Sequence, residues 1–223
     1  MAYSIAIDGP VGAGKSTIAK AVAGKLNFVY IDTGAMYRAM ALFLLREKIS
    51  PEEEAAVGEK CREAEITIRY EDGEQMVYLG AEKVNAYLRR EEIGNMASAF
   101  AKIAAVRRKL VELQQTLARG TNCVMDGRDI GTCVLPGADV KIYLTADSLV
   151  RAKRRYDELK AKGGACRLER IRKDIEERDD QDMRRENSPL RQAQDAILVD
   201  SSDMTPEEVA SAILRVCQQK GIF

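Results

Sequence analysis

Residues 9–16 read Gly-Pro-Val-Gly-Ala-Gly-Lys-Ser, and their flanks decide the fold. Before them, Tyr3-Ser4-Ile5-Ala6-Ile7 is a short β-prone run. After them, Lys15 to Leu26 has a helical pattern. The block matches G-x-x-x-x-G-K-[ST] in the context that gives this pattern meaning, a strand leading through a glycine-rich turn into a helix N-terminus. Glycines let the backbone wrap closely around a polyphosphate, and the helix dipole favours the anion. Lys15 is then the residue that reaches β- and γ-phosphates, and the Ser16 hydroxyl is a candidate Mg²⁺ ligand. Thr17 reads as helix filler.

Downstream, Phe28-Val29-Tyr30-Ile31 predicts a second buried strand ending at Asp32-Thr33-Gly34, and Met36 to Glu47 predicts a helix. Strand, helix, strand with short links is the βαβ pattern of a parallel sheet. The pattern then changes. Ile66, Ile68 and Tyr70 alternate with Thr67 and Arg69, Asp72-Gly73 is a hairpin signal, and Met76–Leu79 is the return strand. With a third short run through Val84, residues 62–88 form an antiparallel insert.

From Glu91 to Arg119 the spacing predicts one long helix, with Ile93, Met96, Phe100, Ile103, Leu110 and Leu117 on one stripe. Arg107 interrupts that stripe. An arginine there either packs its stem and sends its head to solvent or faces a ligand, and spacing alone favours the first. Cys123-Val124-Met125 is a buried strand ending at Asp126-Gly127-Arg128-Asp129. Asp126 stands where a metal-binding carboxylate would, although an Asp capping the next turn has the same pattern. Val140–Leu144 is the next strand. Residues 147–187 are densely charged and helical, with i,i+4 pairs such as Arg172/Glu176 and a break at Gly163-Gly164. Ile197–Asp200 is a last strand, and Thr205-Pro206 opens a C-terminal helix.

Composition narrows the chemistry. The chain has 223 residues, 35 basic against 35 acidic, and no histidine. That removes histidine-based nucleophilic mechanisms and zinc sites with a His ligand. Zero net charge and 5% aromatic content argue against a nucleic-acid-binding surface. No apolar stretch approaches the roughly 20 residues of a membrane span. Five cysteines with no C-x-x-C spacing and no basic leader region predict free thiols in the cytoplasm, and nothing demands more than a monomer.

Arg38, Arg107 and Arg128, with Arg178, Asp182 and Arg185 at i, i+4 and i+7 on one helix face, would suit a second anionic substrate. For the 178–185 face, a solvated salt-bridged helix is at least as good a reading. A phosphate acceptor would need no general base, which fits a chain without histidine.

Four segments together, Gly9–Ser16, Tyr30–Arg38, Asp126–Thr132 and Arg178-Asp179-Asp180 with Ser188-Pro189-Leu190, resemble the bacterial cytidylate kinases, a branch of the nucleoside-monophosphate kinases. The resemblance spans essentially the whole chain. It implies a P-loop α/β/α fold with a parallel central sheet, a small antiparallel β insert in the monophosphate-binding region and a helical lid. Residues 1–223 would form a single domain: core 1–61, 119–150 and 188–223, monophosphate-binding region 62–118, and lid 151–187. The implied reaction is Mg²⁺- and ATP-dependent phosphorylation of CMP and dCMP. By resemblance, the whole loop binds ATP: Gly9, Pro10, Val11, Gly12, Ala13, Gly14, Lys15, Ser16 and Thr17. Arg154 and Arg155 join it. Lys15, Arg38 and Arg128 are catalytic, the two arginines also gripping the monophosphate. Thr33, Arg107, Asp129 and Arg185 correspond to the cytosine-recognising group. Ser98, Arg178 and Asp182 correspond to the ribose-side group, and Ser16 and Asp126 to the metal site. Many relatives carry Ser where this chain has Thr33, and either hydroxyl forms the hydrogen bond. The chemistry agrees: a carboxylate accepts from the N4 amino group of cytosine and repels the O4 carbonyl of uracil, while Arg107 donates to N3 and O2.

The competing readings are a small P-loop kinase with another acceptor and a P-loop switch or NTPase. The second would show an N-K-x-D motif or a basic, aromatic face, and the chain has neither.

Overall fold

The computed structural model describes residues 2–71, 73–161, 163–164 and 166–223. In chain order its elements are β1 (Ser4–Asp8), α1 (Lys15–Leu26), β2 (Val29–Asp32), α2 (Thr33–Arg46), α3 (Glu54–Lys60), β3 (Ile66–Glu71), β4 (Glu74–Leu79), β5 (Glu82–Lys83), α4 (Glu91–Phe100), α5 (Ala104–Ala118), β6 (Cys123–Gly127), β7 (Val140–Thr145), α6 (Ser148–Ala161), α7 (Leu168–Arg184), β8 (Ile197–Asp200) and α8 (Pro206–Gln219). They fall into two compact units, Met1–Tyr30 with Gly120–Phe223, and Ile31–Arg119. The division runs inside β2, so α2 and α3 belong to the second unit, whereas the sequence reading places residues up to 61 with the core.

The first unit carries the five-stranded sheet, in the order β2-β6-β1-β7-β8. β1 runs parallel to β6 and β7, and β7 parallel to β8. Ile5 and Ile7 on β1, Val124 on β6 and Ile142 and Leu144 on β7 meet Ile18 and Val22 of α1 and Val209 and Ile213 of α8 in one apolar core. Burying each such side chain contributes roughly 1.5–3 kcal/mol. α8 starts where the sequence predicts. Thr205 accepts from the Glu208 amide, and the Glu208 carboxylate answers the Thr205 amide, a complete capping box. α6 and α7 pack on each other through a small cluster of Ala152, Ile171 and Ile175.

In the second unit β3-β4-β5 forms the expected antiparallel sheet, with Ile66 opposite Leu79. Gly73 takes φ +78° at the hairpin turn, while Asp72 lies outside the described residues. Two expectations are corrected. α2 begins at Thr33 rather than Met36, because the Asp32 carboxylate caps it by accepting from the Ala35 amide. The single helix expected over 91–119 is two. Lys102 and Ile103 donate to Ala99 and Phe100, three residues back, and Ile103 is extended. Phe100 and Ile103 on either side of the break are both buried, and no Gly or Pro at 101–103 announces it.

Candidate active site

The glycine-rich loop joins β1 to α1 through backbone that only glycine accepts easily. Gly9 has φ +152°, and a Cβ there would stand 1.9 Å from the Leu144 carbonyl oxygen. Gly14 takes the left-handed conformation and caps α1, whose first residue is Lys15. Lys15 is buried, and its ammonium donates to the Pro10 carbonyl at 2.7 Å. Ser16 and Thr17 are exposed at the start of α1.

The loop turns the Ala13 side chain inward. It is 1% exposed, and it packs in the apolar core of the sheet beside Ile18 and Val22 of α1. Its methyl group anchors the loop from beneath because an apolar side chain gains from burial and offers a phosphate nothing. Its side chain belongs to the core, while its backbone stays part of the loop.

Asp126 closes β6 beside this loop. One carboxylate oxygen accepts from the Ser16 hydroxyl at 2.9 Å and the other from the Tyr30 hydroxyl at 2.8 Å. A hydroxyl and a carboxylate side by side form an oxygen donor set that suits Mg²⁺, which takes few protein ligands and keeps waters and phosphate oxygens for the rest. Asp8, at the end of β1, is also buried. Its carboxylate accepts from the Ile130 and Gly131 amides at 2.8 and 2.7 Å. It thereby caps a single π-helical turn, Ile130–Val134, that starts at Asp129.

The same unit brings four of the expected substrate residues together. Arg128 donates to Asp182 at 2.8 Å. Arg185 lies 3.7 Å from Asp182 and 3.5 Å from Asp129. Arg185 is the C-cap of α7 rather than part of its last turn, and its Nε donates to the Ser188 carbonyl at 2.6 Å. Ser188 holds φ +50°, a left-handed backbone that costs a non-glycine residue energy. The solvated-helix alternative does not describe this end of α7, since the Arg185 side chain is only 6% exposed. Arg178 lies on the same helix. Arg154 donates to the Ser201 hydroxyl and carbonyl at 3.1 and 2.6 Å, and exposed Arg155 pairs with Glu158.

In the second unit, Thr33 is buried at the start of α2 and Ser98 is half-buried on α4. Arg38 lies one turn into α2 and donates to Asp32 at 3.1 Å. The antiparallel sheet acts on this turn directly. Gln75 of β4 accepts from the Asp32 amide at 2.8 Å and donates to the Asp32 carbonyl at 3.2 Å. The residue that aims Arg38 is therefore itself held by the insert. Arg107 does not send its head to solvent. It is 5% exposed, sits 5.7 Å from the Tyr37 ring centroid and donates to the Ala101 carbonyl at 3.5 Å.

A family model described as cytidylate kinase matches residues 5–219. The chain belongs to the cytidylate kinase family. It is 47% identical over 213 residues to a cytidylate kinase of Caldicellulosiruptor bescii, covering 96% of this chain and 94% of that one. It is 50% identical over 217 residues to a cytidylate kinase of Listeria innocua, covering 97% and 96%. Among solved structures, an uncharacterized protein from Eubacterium ventriosum matches with a TM-score of 0.55 at 12% identity, covering 98% of this chain and 99% of that one. That likeness speaks to the fold alone.

The lysine of the glycine-rich loop stands in a demanding setting. Burial first, then the nearby Arg128 cation, push the Lys15 ammonium down from 10.5 to about 7. Burial also raises the Asp8 carboxyl from 3.8 to about 6. The two act on stability with opposite sign. Between about 7 and 10.5 the unfolded chain holds the Lys15 proton more tightly, so the nucleotide-free protein gains stability as pH rises, by at most about 1.4 kcal/mol per pH unit. Between about 3.8 and 6 the folded chain holds the Asp8 proton more tightly, so that contribution is lost as pH rises. A bound polyphosphate restores the lysine charge. ATP binding at pH 8 is therefore expected to take up close to one proton. Calorimetry in two buffers of different ionisation enthalpy measures this, and Lys15→Met should abolish it.

Sequence reasoning does not single out Asp8, Tyr30 or Gln75. Asp8 carries the signal that marks Asp126, a carboxylate closing an apolar strand. Nothing local marks Tyr30 or Gln75.

Proposed function

We propose that this chain transfers the γ-phosphoryl group of ATP to CMP and dCMP, giving ADP with CDP or dCDP. The observation that carries the reading is buried Lys15 standing near half-buried Arg128, close enough that Arg128 depresses the lysine. Two cations placed together are stabilised by a polyanion, and phosphoryl transfer between two phosphates develops that charge.

The P-loop amides from Gly12 to Ser16, that of Ala13 among them, and the Lys15 ammonium hold the ATP phosphates, with Arg154 and Arg155 on the donor side. Arg38 and Arg128 grip the monophosphate. Thr33, Arg107, Asp129 and Arg185 read cytosine, and Ser98, Arg178 and Asp182 serve the ribose. In the nucleotide-free state Asp182 and Asp32 partner Arg128 and Arg38. Substrate phosphate then replaces a carboxylate as the acceptor, so each guanidinium is paired in both states. Ser16 and Asp126 would hold Mg²⁺, which neutralises charge on the β- and γ-phosphate oxygens when bound. The acceptor oxygen is already an anion, so no general base is required. α6 and α7 form the lid region. Among the described residues no helix is long and apolar enough to cross a membrane, and all five cysteines are free. We take the protein to act as a cytoplasmic monomer on nucleotides alone.

Incubation with ATP, Mg²⁺ and CMP should yield ADP and CDP in equal amounts by chromatography. ADP without CDP would contradict the acceptor assignment. Arg107→Met should lower kcat/KM for CMP by about 10²-fold, the effect of a lost charged hydrogen-bond donor, with ATP affinity within a factor of two. A fall in thermal stability with unchanged kinetics would instead make Arg107 a packing residue.

A further inference from the structure

α6 and α7 carry a charge pair to which phosphoryl transfer assigns no part. Arg151 and Asp179 are each 6% exposed and form an ion pair at 2.6 Å. Both also bond to one residue of the glycine-rich loop. Arg151 donates to the Val11 carbonyl at 2.8 Å, and the other Asp179 oxygen accepts from the Val11 amide at 3.0 Å. Arg151 Nε donates to the Ala146 carbonyl at 2.8 Å, which fixes the guanidinium at the root of α6. The loop is also seated by packing. The Val11 side chain joins the apolar cluster of α6 and α7, and a Cβ on Gly12 would stand 3.3 Å from the Arg151 Cβ.

Burying an ion pair is expensive, so it contributes little net stability, and its value lies in specifying one arrangement. Here both hydrogen-bonding groups of a single peptide residue are specified, immediately before the amides that face phosphate. We propose that Arg151 and Asp179 are positioning residues for the glycine-rich loop. They fix Val11 so that the amides from Gly12 to Ser16 stay aimed at the donor phosphates, and they couple that loop to the α6–α7 hairpin. Neither residue touches the reacting atoms. The inference rests on the ATP-binding role proposed for the loop and is independent of the acceptor's identity.

The test uses Asp179→Asn, which keeps an acceptor for Val11 but loses the charge, and Arg151→Lys, which keeps the charge but loses the fork. Each should raise KM for ATP at least tenfold and lower kcat, while the dissociation constant of CMP measured without ATP stays within twofold. Hydrogen exchange supplies a readout that a merely structural pair would not move. In the wild type, ATP with Mg²⁺ should slow exchange in α6 and α7. In either variant at saturating ATP that slowing should be reduced or lost. Variants that melt earlier but keep wild-type ATP kinetics and ATP-induced protection would overturn the proposal. Should both variants fail to fold, absence of ATP-induced protection in wild-type α6 and α7 overturns it alone, and its presence supports the coupling. Wild-type protection by ATP without CMP turnover would sink only the acceptor assignment.

Discussion

Replacing Lys15 by alanine is expected to lower kcat by about three orders of magnitude or more while leaving the protein folded. Two features set the size. The ammonium is the buried cation of the phosphate loop, and a preorganised charge in a site shielded from water acts most strongly on charge that develops during the reaction. Removing one such donor typically costs about 10²–10³ in kcat, and Lys15 is proposed to serve both the β- and the γ-phosphate. The fold should tolerate the change because the ammonium is already disfavoured by burial and by Arg128. Its hydrogen bond to the Pro10 carbonyl lies within the loop. Steady-state kinetics with a thermal melt separates the two effects. A folded Lys15→Ala variant with near-normal turnover would remove Lys15 from the catalytic set.

Asp129→Asn should change what the enzyme accepts more than whether it works. Asp129 is buried, 3.5 Å from Arg185, at the start of the turn that Asp8 caps. Its carboxylate accepts from an amino group and repels a carbonyl, whereas an amide side chain satisfies either. The ratio of kcat/KM for CMP over UMP should fall by about 10²-fold, most of it from loss of CMP use. The isosteric change leaves the Asp129 carbonyl able to accept from the Cys133 and Val134 amides, so the turn should survive. Equal losses for CMP and UMP would mean that Asp129 holds Arg185 in place and does not read the base.

What can be read from sequence is what local chemistry writes. The glycine-rich loop, the strand end at Asp126, the antiparallel hairpin and the Thr205 cap all depend on neighbours within a few residues. The inward turn of Ala13 is less legible, since a loop motif records which backbone must bend and not which side chain the core takes up. The break at 101–103 is invisible for a different reason. Its residues are acceptable helix formers, so nothing local marks the stop. Spacing misreads Arg107 because it shows that a residue falls on an apolar stripe but not that Tyr37 and the Ala101 carbonyl wait there. The supports of the site lie beyond sequence altogether. Asp8 meets Ile130, Gln75 meets Asp32 and Asp179 meets Val11 across separations of 122, 43 and 168 residues. In the charged stretch 147–187, Arg151 and Asp179 look like their exposed neighbours. Only the fold distinguishes the pair that is buried.

Phosphoryl transfer to cytidine monophosphates is tested most directly by ADP release with ATP and Mg²⁺, measured across CMP, dCMP, UMP, AMP, GMP and dTMP. Strong turnover with CMP and dCMP, much weaker turnover with UMP, and little with the rest is the expected result. Folded, ATP-binding protein with no monophosphate-dependent turnover, or with equal turnover of CMP and UMP, would contradict it.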